Sequence, residues 1–426
     1  MAVFSEVSAA FREHPEQAIS KPFLSMNEAQ TFSVQVAQSI PSVEALRPIW
    51  KTWTNNLNTD IDYYLHNLKT DPSILHPYVI TVCQDGIAQA MLVGQVRRRR
   101  VSAVISWVKV HGPRAKVLEV MAGGRVGRLS SGIDKRFALQ LQDALRSTAV
   151  DLLCFQRLPL ESDLFRELRQ LPSLMKRRVA DVFCYSVVPL AASGGKRSPA
   201  LSGKNRREVR RKTKILQRAF PGNAQFRCFA GLSELDAGLQ AAAAVDVTTW
   251  QHYMGYGLLN ETQARERLTF CARQGWLRIY VMYVEDRPVA FLIGQHHQQT
   301  YYCQFTGYHP DFARYSVGSL LTAWVLENLA AAGVEQVDLG EGGQEHNRRL
   351  GCQVREEGTV HMYSLTLRGL CANLFFAAAQ AVRTGGRSTR EGLHLNGATG
   401  IWARFLLERR KVRQATPVNA EIRPAA

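Results

Sequence analysis

Side chains able to do proton chemistry gather in one stretch of this sequence, from Gly307 to Gly343 and a few residues beyond. Glu341 stands between Gly340 and Gly342 at the end of an expected strand. Glycine neighbours leave such a carboxylate open to a reacting group, so Glu341 reads as a general base. His346 follows in the same loop, and Tyr308 and Tyr315 could return a proton to a departing group. The stretch also reads strand, loop, helix, strand. A strand ends at Thr306, and a loop carries Asp311 and Ser316. A helix then runs to Ala332 with Leu321, Trp324, Val325 and Leu329 on one face, Gly333 ends it, and Val334–Leu339 is the next strand. A helix start offers unpaired backbone N–H groups and the positive end of a dipole, which together favour a phosphate or pyrophosphate. Gly318 allows close approach there, Ser316 and Ser319 add hydroxyl donors, and Arg314 adds charge. Asp338 reads as a structural group near a strand end. His296 and His297 occupy adjacent strand positions facing opposite ways, which argues against a shared metal.

The elements that position these residues show an internal repeat. Residues 90–95 read A-M-L-V-G-Q and residues 290–295 read A-F-L-I-G-Q, an offset of 200 that Trp50 and Trp250 share. Each apolar run follows a turn signal, Gln84-Asp85-Gly86 or Glu285-Asp286-Arg287-Pro288. Strands are predicted at 78–83, 87–96 and 101–110 in the first copy. They match 277–284, 289–297 and 300–306 in the second. Downstream, Gly132 to Asp151 and Gly318 to Asp338 repeat a helix-then-strand order with spacings of 19 and 20. The first copy has no counterpart of Glu341-Gly342-Gly343-Gln344 after Asp151 and reads as a degenerate copy that shapes the acceptor site.

The domain reading follows: 1–190, a degenerate first copy; 191–220, a linker and basic helix; 221–368, the catalytic copy; and 369–426, a helical tail. The helix at Lys204–Arg218 holds eight basic residues and one acidic, with Arg207, Arg211, Lys214 and Arg218 at spacings of three and four. It is a candidate contact for tRNA or an anionic glycan. The tail is read as an apolar helix at Leu370–Val382, then a cationic amphipathic helix at Ile401–Val412 able to touch a membrane at most peripherally.

Composition agrees with a folded enzyme. The chain has 426 residues, 46% hydrophobic and 21% charged, enough to bury two cores. The net charge of +17 is clustered and points to an anionic partner. Eight scattered cysteines without a C-x-x-C pair argue against a zinc site and fit a reducing compartment. The N-terminus lacks the pattern of a signal peptide. The longest apolar run is shorter than the roughly 20 residues needed to span a bilayer. A cytoplasmic protein is expected, at most peripheral to the inner membrane face.

Trp250 through Thr366 resembles the acetyltransferase domain of the cellulose-biosynthesis-associated (CelD-like) branch of the GNAT superfamily. The resemblance rests on Gly307-Tyr308-His309-Pro310-Asp311-Phe312-Ala313-Arg314-Tyr315-Ser316-x-Gly318 and on Asp338-Leu339-Gly340-Glu341-Gly342. Glu341-x-Gly343-Gln344-Glu345-His346 is further similar to FemAB-like transferases. The resemblance implies a mixed α/β sheet flanked by helices, in two tandem GNAT-like copies. It implies acetyl-CoA or another acyl-CoA as co-substrate, with no metal. Arg314, Tyr315, Ser316, Gly318 and Ser319 would hold the cofactor, although the family loop Q/R-x-x-G-x-G/A meets Val317 and Ser319 at its glycine places. Glu341, His346 and Tyr308 would be catalytic, and Trp250, Gln304 and Gln344 would face the acceptor, a sugar or envelope-polysaccharide precursor. Two alternatives are a Fem-type transferase fed by aminoacyl-tRNA and a catalytically inactive envelope-associated binding protein.

Overall fold

The computed structural model describes residues 32–53, 56–105, 108–171, 177–190, 203–253, 255, 257–258, 263–341, 350 and 352–391. The first half runs β1 (Phe32–Ala37), α1 (Ile40–Glu44), α2 (Arg47–Lys51), a 3-10 turn at Leu57–Thr59, α3 (Ile61–Thr70), β2 (Ile74–Gln84), β3 (Ile87–Ile105), β4 (Val108–Gly127), α4 (Ser131–Arg146), β5 (Leu152–Pro159), α5 (Asp163–Gln170) and β6 (Arg177–Pro189). After α6 (Gly203–Ala219) the second half runs β7 (Ala224–Phe229), α7 (Leu235–Asp246), α8 (Trp250–Tyr253), α9 (Ala264–Arg273), β8 (Leu277–Val284), β9 (Arg287–His297), β10 (Thr300–Tyr308), a 3-10 turn at Pro310–Tyr315, α10 (Val317–Ala331), β11 (Gln336–Glu341) and β12 (Gln353–Tyr363). Helix α11 (Leu367–Glu391) follows.

All described strands join one mixed sheet in the order β1-β2-β3-β4-β5-β12-β6-β11-β10-β9-β8-β7. The expected fold class, a mixed sheet flanked by helices and built from two like halves, is the one observed. The order reads alike from either end, except that the closing strands are exchanged. β6 pairs with β11 and β12, while β12 pairs with β5 and β6, all antiparallel. The halves repeat in register. Ala90 pairs with Val82 and Gly127, and Ala290 with Met282 and Tyr308. Left-handed backbone makes both tight hairpin turns, at Asp85 and Gly86 in one half and Glu285 and Asp286 in the other.

One face of the sheet carries α4 and α5 in the first half and α6 and α10 in the second. The other carries α1–α3, α7, α9 and α11. Strand alternation supplies both cores. Tyr301 and Val337 pack with α10, while Ile279, Val281, Phe291 and Ile293 pack with α7 and α9.

Three expectations are corrected. The strand predicted at 101–110 is instead the far end of a long hairpin, and the third strand of the first half is β4. The polar stretch Arg97–Arg100 misplaced the boundary, because both strands continue through it. Trp50 and Trp250 are not equivalent. Trp50 is fully buried and its indole N–H donates to the Thr59 carbonyl at 2.7 Å, whereas Trp250 is 40% exposed at the start of α8. The apolar helix expected at 370–382 extends over Leu367–Glu391, since no proline or helix-ending turn interrupts it. Ile401–Val412 lies outside the described residues.

His361 of β12 faces Cys154 of β5 across the ladder and packs under Phe376 of α11, ring centres 4.5 Å apart. Its Nδ1 has no hydrogen-bond partner among the described residues. Burial, with the Arg99 charge adding to it, pushes its pKa down to about 4. The unfolded chain takes up this proton near pH 6.5 and the folded chain does not, so stability is lost as pH falls from about 6.5 to about 4. A loss on the order of 2–3 kcal/mol is expected over that window. Urea unfolding of His361→Gln against pH should lack this component; an unchanged profile would show that His361 does not cause it.

Candidate active site

β10 and β11 run parallel, but pairing covers only Thr300–Tyr302 against Gln336–Asp338. Beyond that point the strands part. β10 continues along β9 with Gln304 as an extra residue between Cys303 and Phe305. β11 turns toward β6 through an irregularity at Leu339 and Gly340, where Gly340 has φ of +73°. Glu341 resumes the ladder opposite Tyr185. The gap opens toward the start of α10.

That start is suited to an anion. Ser316, the N-cap, sits in the left-handed region at φ +57° and its side chain makes no capping hydrogen bond. The amides of Val317, Gly318 and Ser319 make no hydrogen bond among the described residues, as expected of a helix's first turn. Val317 is fully buried in the core beneath α10, so its side chain leaves the opening to the backbone amides. Valine at the first of the two glycine places therefore does not block the helix start. A Cβ at Gly318 would stand 3.2 Å from the Tyr308 ring, which explains the glycine by a neighbouring side chain.

The other expected residues fall around this opening in distinct ways. Tyr308 ends β10 half-buried, and burial raises its pKa, so it holds its proton at neutral pH. Arg314 is exposed, with its guanidinium 4.7 Å from the Tyr315 ring centre. The Tyr315 ring is itself buried, 5.3 Å from Phe220. Gln304 accepts a hydrogen bond from Gln295 Nε2 at 2.6 Å. Trp250 begins α8, whose next residue, Gln251, donates to the Thr306 carbonyl. Gln344 and His346 lie outside the described residues.

The corresponding place in the first half is differently furnished. β4 and β5 also pair in parallel for a short stretch, Val117–Val120 against Leu152–Phe155. There Ser130 caps α4 by accepting from the Ile133 amide, and Arg125 pairs with the buried Asp134 in the first turn. Gly127 stands where β10 has Tyr308. Opposite Val93 the bulge comprises residues 121–124, against the single Gln304 in the second half.

On the face opposite α10, a cleft of about 210 Å³ lies across the junction of the halves. Its floor includes Tyr302 of β10, Gln336 and Asp338 of β11, Arg355 and Glu357 of β12, and Arg157 of β5; Asn56, Asn58 and Gly123 form a wall. Arg157 is the centre of this cleft. It donates to Asp338 Oδ2 at 3.1 Å and to Glu357 Oε2 at 2.7 Å, and stacks 3.7 Å above the Tyr185 ring. Burial works against its charge, but Asp338 and then Glu357 outweigh it and raise its hold on the proton. Its φ is +54°, in the same irregularity that Gly340 occupies in β11. Sequence reading passed over Arg157, Arg355 and Glu357. The one local signal was a charged residue closing the apolar run Leu152–Phe155. Asp338, expected to be structural, is an ion-pair partner at the cleft.

A short parallel pairing that opens onto an uncapped helix start therefore marks the second half. Residues 203–348 match the acetyltransferase (GNAT) domain family. No curated protein matches the chain. Among solved structures, FemX is 8% identical with a TM-score of 0.49, covering 76% of this chain and 96% of its own. A tandem GNAT protein from the clavulanic acid biosynthesis pathway is 10% identical with a TM-score of 0.45, covering 78% and 98%. The L-PGS of Bacillus licheniformis is 13% identical with a TM-score of 0.45, covering 83% and 99%. Among the described residues no cluster of side chains could hold a metal, and no helix is long and apolar enough to cross a membrane.

Replacing Arg157 by Met would leave the buried Asp338 and Glu357 without this counter-charge. A loss of about 1–3 kcal/mol in unfolding free energy is expected. Urea midpoints of Arg157→Met, Asp338→Asn and the double variant should show coupling; additive losses would mean that the pair contributes nothing as a pair.

Proposed function

We propose that the chain is an acyltransferase that moves an acetyl or longer acyl group from acyl-CoA to an amine or hydroxyl of a sugar or envelope-polysaccharide precursor. One observation carries this reading: within the segment that matches a GNAT domain, β10 and β11 part after three paired residues and open onto the uncapped start of α10. The pyrophosphate would rest on the amides of 317–319, where dipole and unpaired donors favour it. Arg314, Tyr315, Ser316, Gly318 and Ser319 are assigned to this cofactor side. The pantetheine arm would lie along the parted strand edges, pairing with exposed backbone groups. Gln304, Trp250 and Gln344 are assigned to the acceptor side, with the junction cleft as its approach. Its class rests on the resemblance of residues 250–366 alone.

In this mechanism Glu341 takes the proton from the attacking amine or hydroxyl as the new acyl bond forms. The thioester C–S bond breaks, and Tyr308, which burial keeps protonated, returns a proton to the sulfur. His346 follows Glu341 closely in sequence and is the reserve base. A second reading takes aminoacyl-tRNA as donor. It is favoured by α6, on which Arg206, Arg207, Arg210, Arg211, Lys214 and Arg218 are all exposed while Leu216 is buried.

Calorimetry with acetyl-CoA, longer acyl-CoAs and charged tRNA separates the two donors: saturable binding of tRNA but of no acyl-CoA would replace the first reading by the second. Glu341→Gln should lower turnover about 10²–10⁴-fold with acyl-CoA affinity kept. Near-normal transfer by that protein would move the role to His346. Gly318→Val should push Tyr308 aside and weaken acyl-CoA binding about tenfold, some 1.4 kcal/mol, as read by the same calorimetry.

A further inference from the structure

The β3–β4 hairpin outruns its neighbours. β2 stops pairing at Ile74, opposite Arg97, and β5 begins pairing only at Val117. Beyond these points the two strands form a ribbon held to each other from Arg98 opposite Lys116 to Ile105 opposite Val108. One face of the ribbon is covered. Val101 and Ala115 are buried with Ala372 and Phe375 of α11, and a Cβ on Gly112 would meet the Phe375 ring at 2.7 Å.

Strand alternation divides the arginine run Arg97–Arg100 between the two faces. Arg97 and Arg99 turn to the covered side. There Asp71 and the buried Glu119 neutralise them. Arg98 and Arg100 turn the other way and are exposed. Directly opposite them stand Lys116 and Arg114, cation against cation in two successive places. None of these four forms an ion pair among the described residues. Like charges facing each other across a ladder weaken it, so the arrangement is a cost to folding that no ion pair among the described residues offsets. Arg97 and Arg99 serve the fold; the other four serve something outside it.

We propose that this face binds the phosphodiester backbone of a duplex nucleic acid. Two successive cross-strand pairs place four cations in a patch roughly 7 Å along the strands and roughly 5 Å across them. That density suits a duplex, which carries one negative charge per about 1.7 Å of axis. Ser102 and His111 extend the face with polar side chains. Its described side chains include no Phe, Tyr or Trp ring on which an unpaired base could stack. Nor do they include a large apolar group of the kind that interfacial membrane binders bury. The contacts are to backbone, so the binding is indifferent to sequence.

The test uses the full chain and a variant carrying Arg98→Ser, Arg100→Ser, Arg114→Ser and Lys116→Ser, with Arg97 and Arg99 kept. Anisotropy is measured on short RNA and DNA duplexes of one sequence. Single strands, vesicles containing phosphatidylglycerol and an acidic polysaccharide serve as comparison arms. The unaltered chain should bind the duplexes with log Kobs falling as log salt rises. The variant should show a slope flatter by about 3–4 and an affinity at least about tenfold lower at low salt, from the loss of up to four phosphate contacts. Loss on both duplexes, or on RNA or DNA alone, supports the proposal and names the source. Duplex affinity and slope unchanged in the variant would overturn it and leave α6 as the basic contact. Loss confined to vesicles or polysaccharide would overturn it equally. The variant should melt no lower than the parent and bind acyl-CoA as well, which separates this surface from the proposed active site. If the fourfold variant fails to fold, Arg100→Ser with Arg114→Ser removes one cross-strand pair and should flatten the slope by about half as much.

Discussion

Each half of this protein is completed by a strand from the other. β6, which closes the first half in sequence, lies between β12 and β11, and β12 lies between β5 and β6. Three antiparallel ladders therefore cross the middle of the sheet, and separating the halves would expose all of them. A backbone donor or acceptor stripped of its partner inside a protein is expensive, so the halves fold as one body. The exchange also gives the junction cleft a floor drawn from both halves, with Arg157 from one and Asp338 and Glu357 from the other.

On this shared backbone the two halves have separated in chemistry. Both carry a short parallel pair, an irregularity with one left-handed residue, and a helix that starts just past the strand end. The first half closes its helix start with Ser130 and an internal ion pair and places Gly127 at the strand end. The second leaves its helix start uncapped behind Tyr308. At the irregularity, Gly340 lets β11 turn without a side chain, whereas Arg157 holds the same left-handed backbone and extends a charge to the partner half. Left-handed backbone is costly for a residue with a Cβ and persists where its surroundings fix it; two carboxylates and the Tyr185 ring do so here.

How charge is used follows the same division between what the fold needs and what it leaves free. Within Arg97–Arg100 the period of a strand sends alternate residues to a neutralised interior and to solvent. In α6 the helical period buries Leu216 and leaves seven cations outward. Exposed cations thus gather on these two elements, an arrangement that composition alone does not distinguish from an evenly basic surface.

Much of the fold was legible in the sequence because its causes are local. Apolar runs marked β8 and β9, turn residues marked the hairpins, and Gly333 marked the end of α10, all acting over a few residues. The repeat was legible because both halves keep the same apolar run at the same hairpin. The stretch around Gly307–Gly343 was legible as a helix start preceded by a strand. Tertiary structure alone decided the rest. Arg157 meets Glu357 across 200 residues and Asp338 across 181, and no local preference encodes such partners. Trp50 and Trp250 share a sequence offset, yet one is buried and the other exposed, because burial depends on which elements pack above a position. The exchange of β6 and β12 has the same cause. A strand's sequence fixes that it pairs and which face it buries, while the choice among neighbours is settled by competition among all the edges that the folded chain presents.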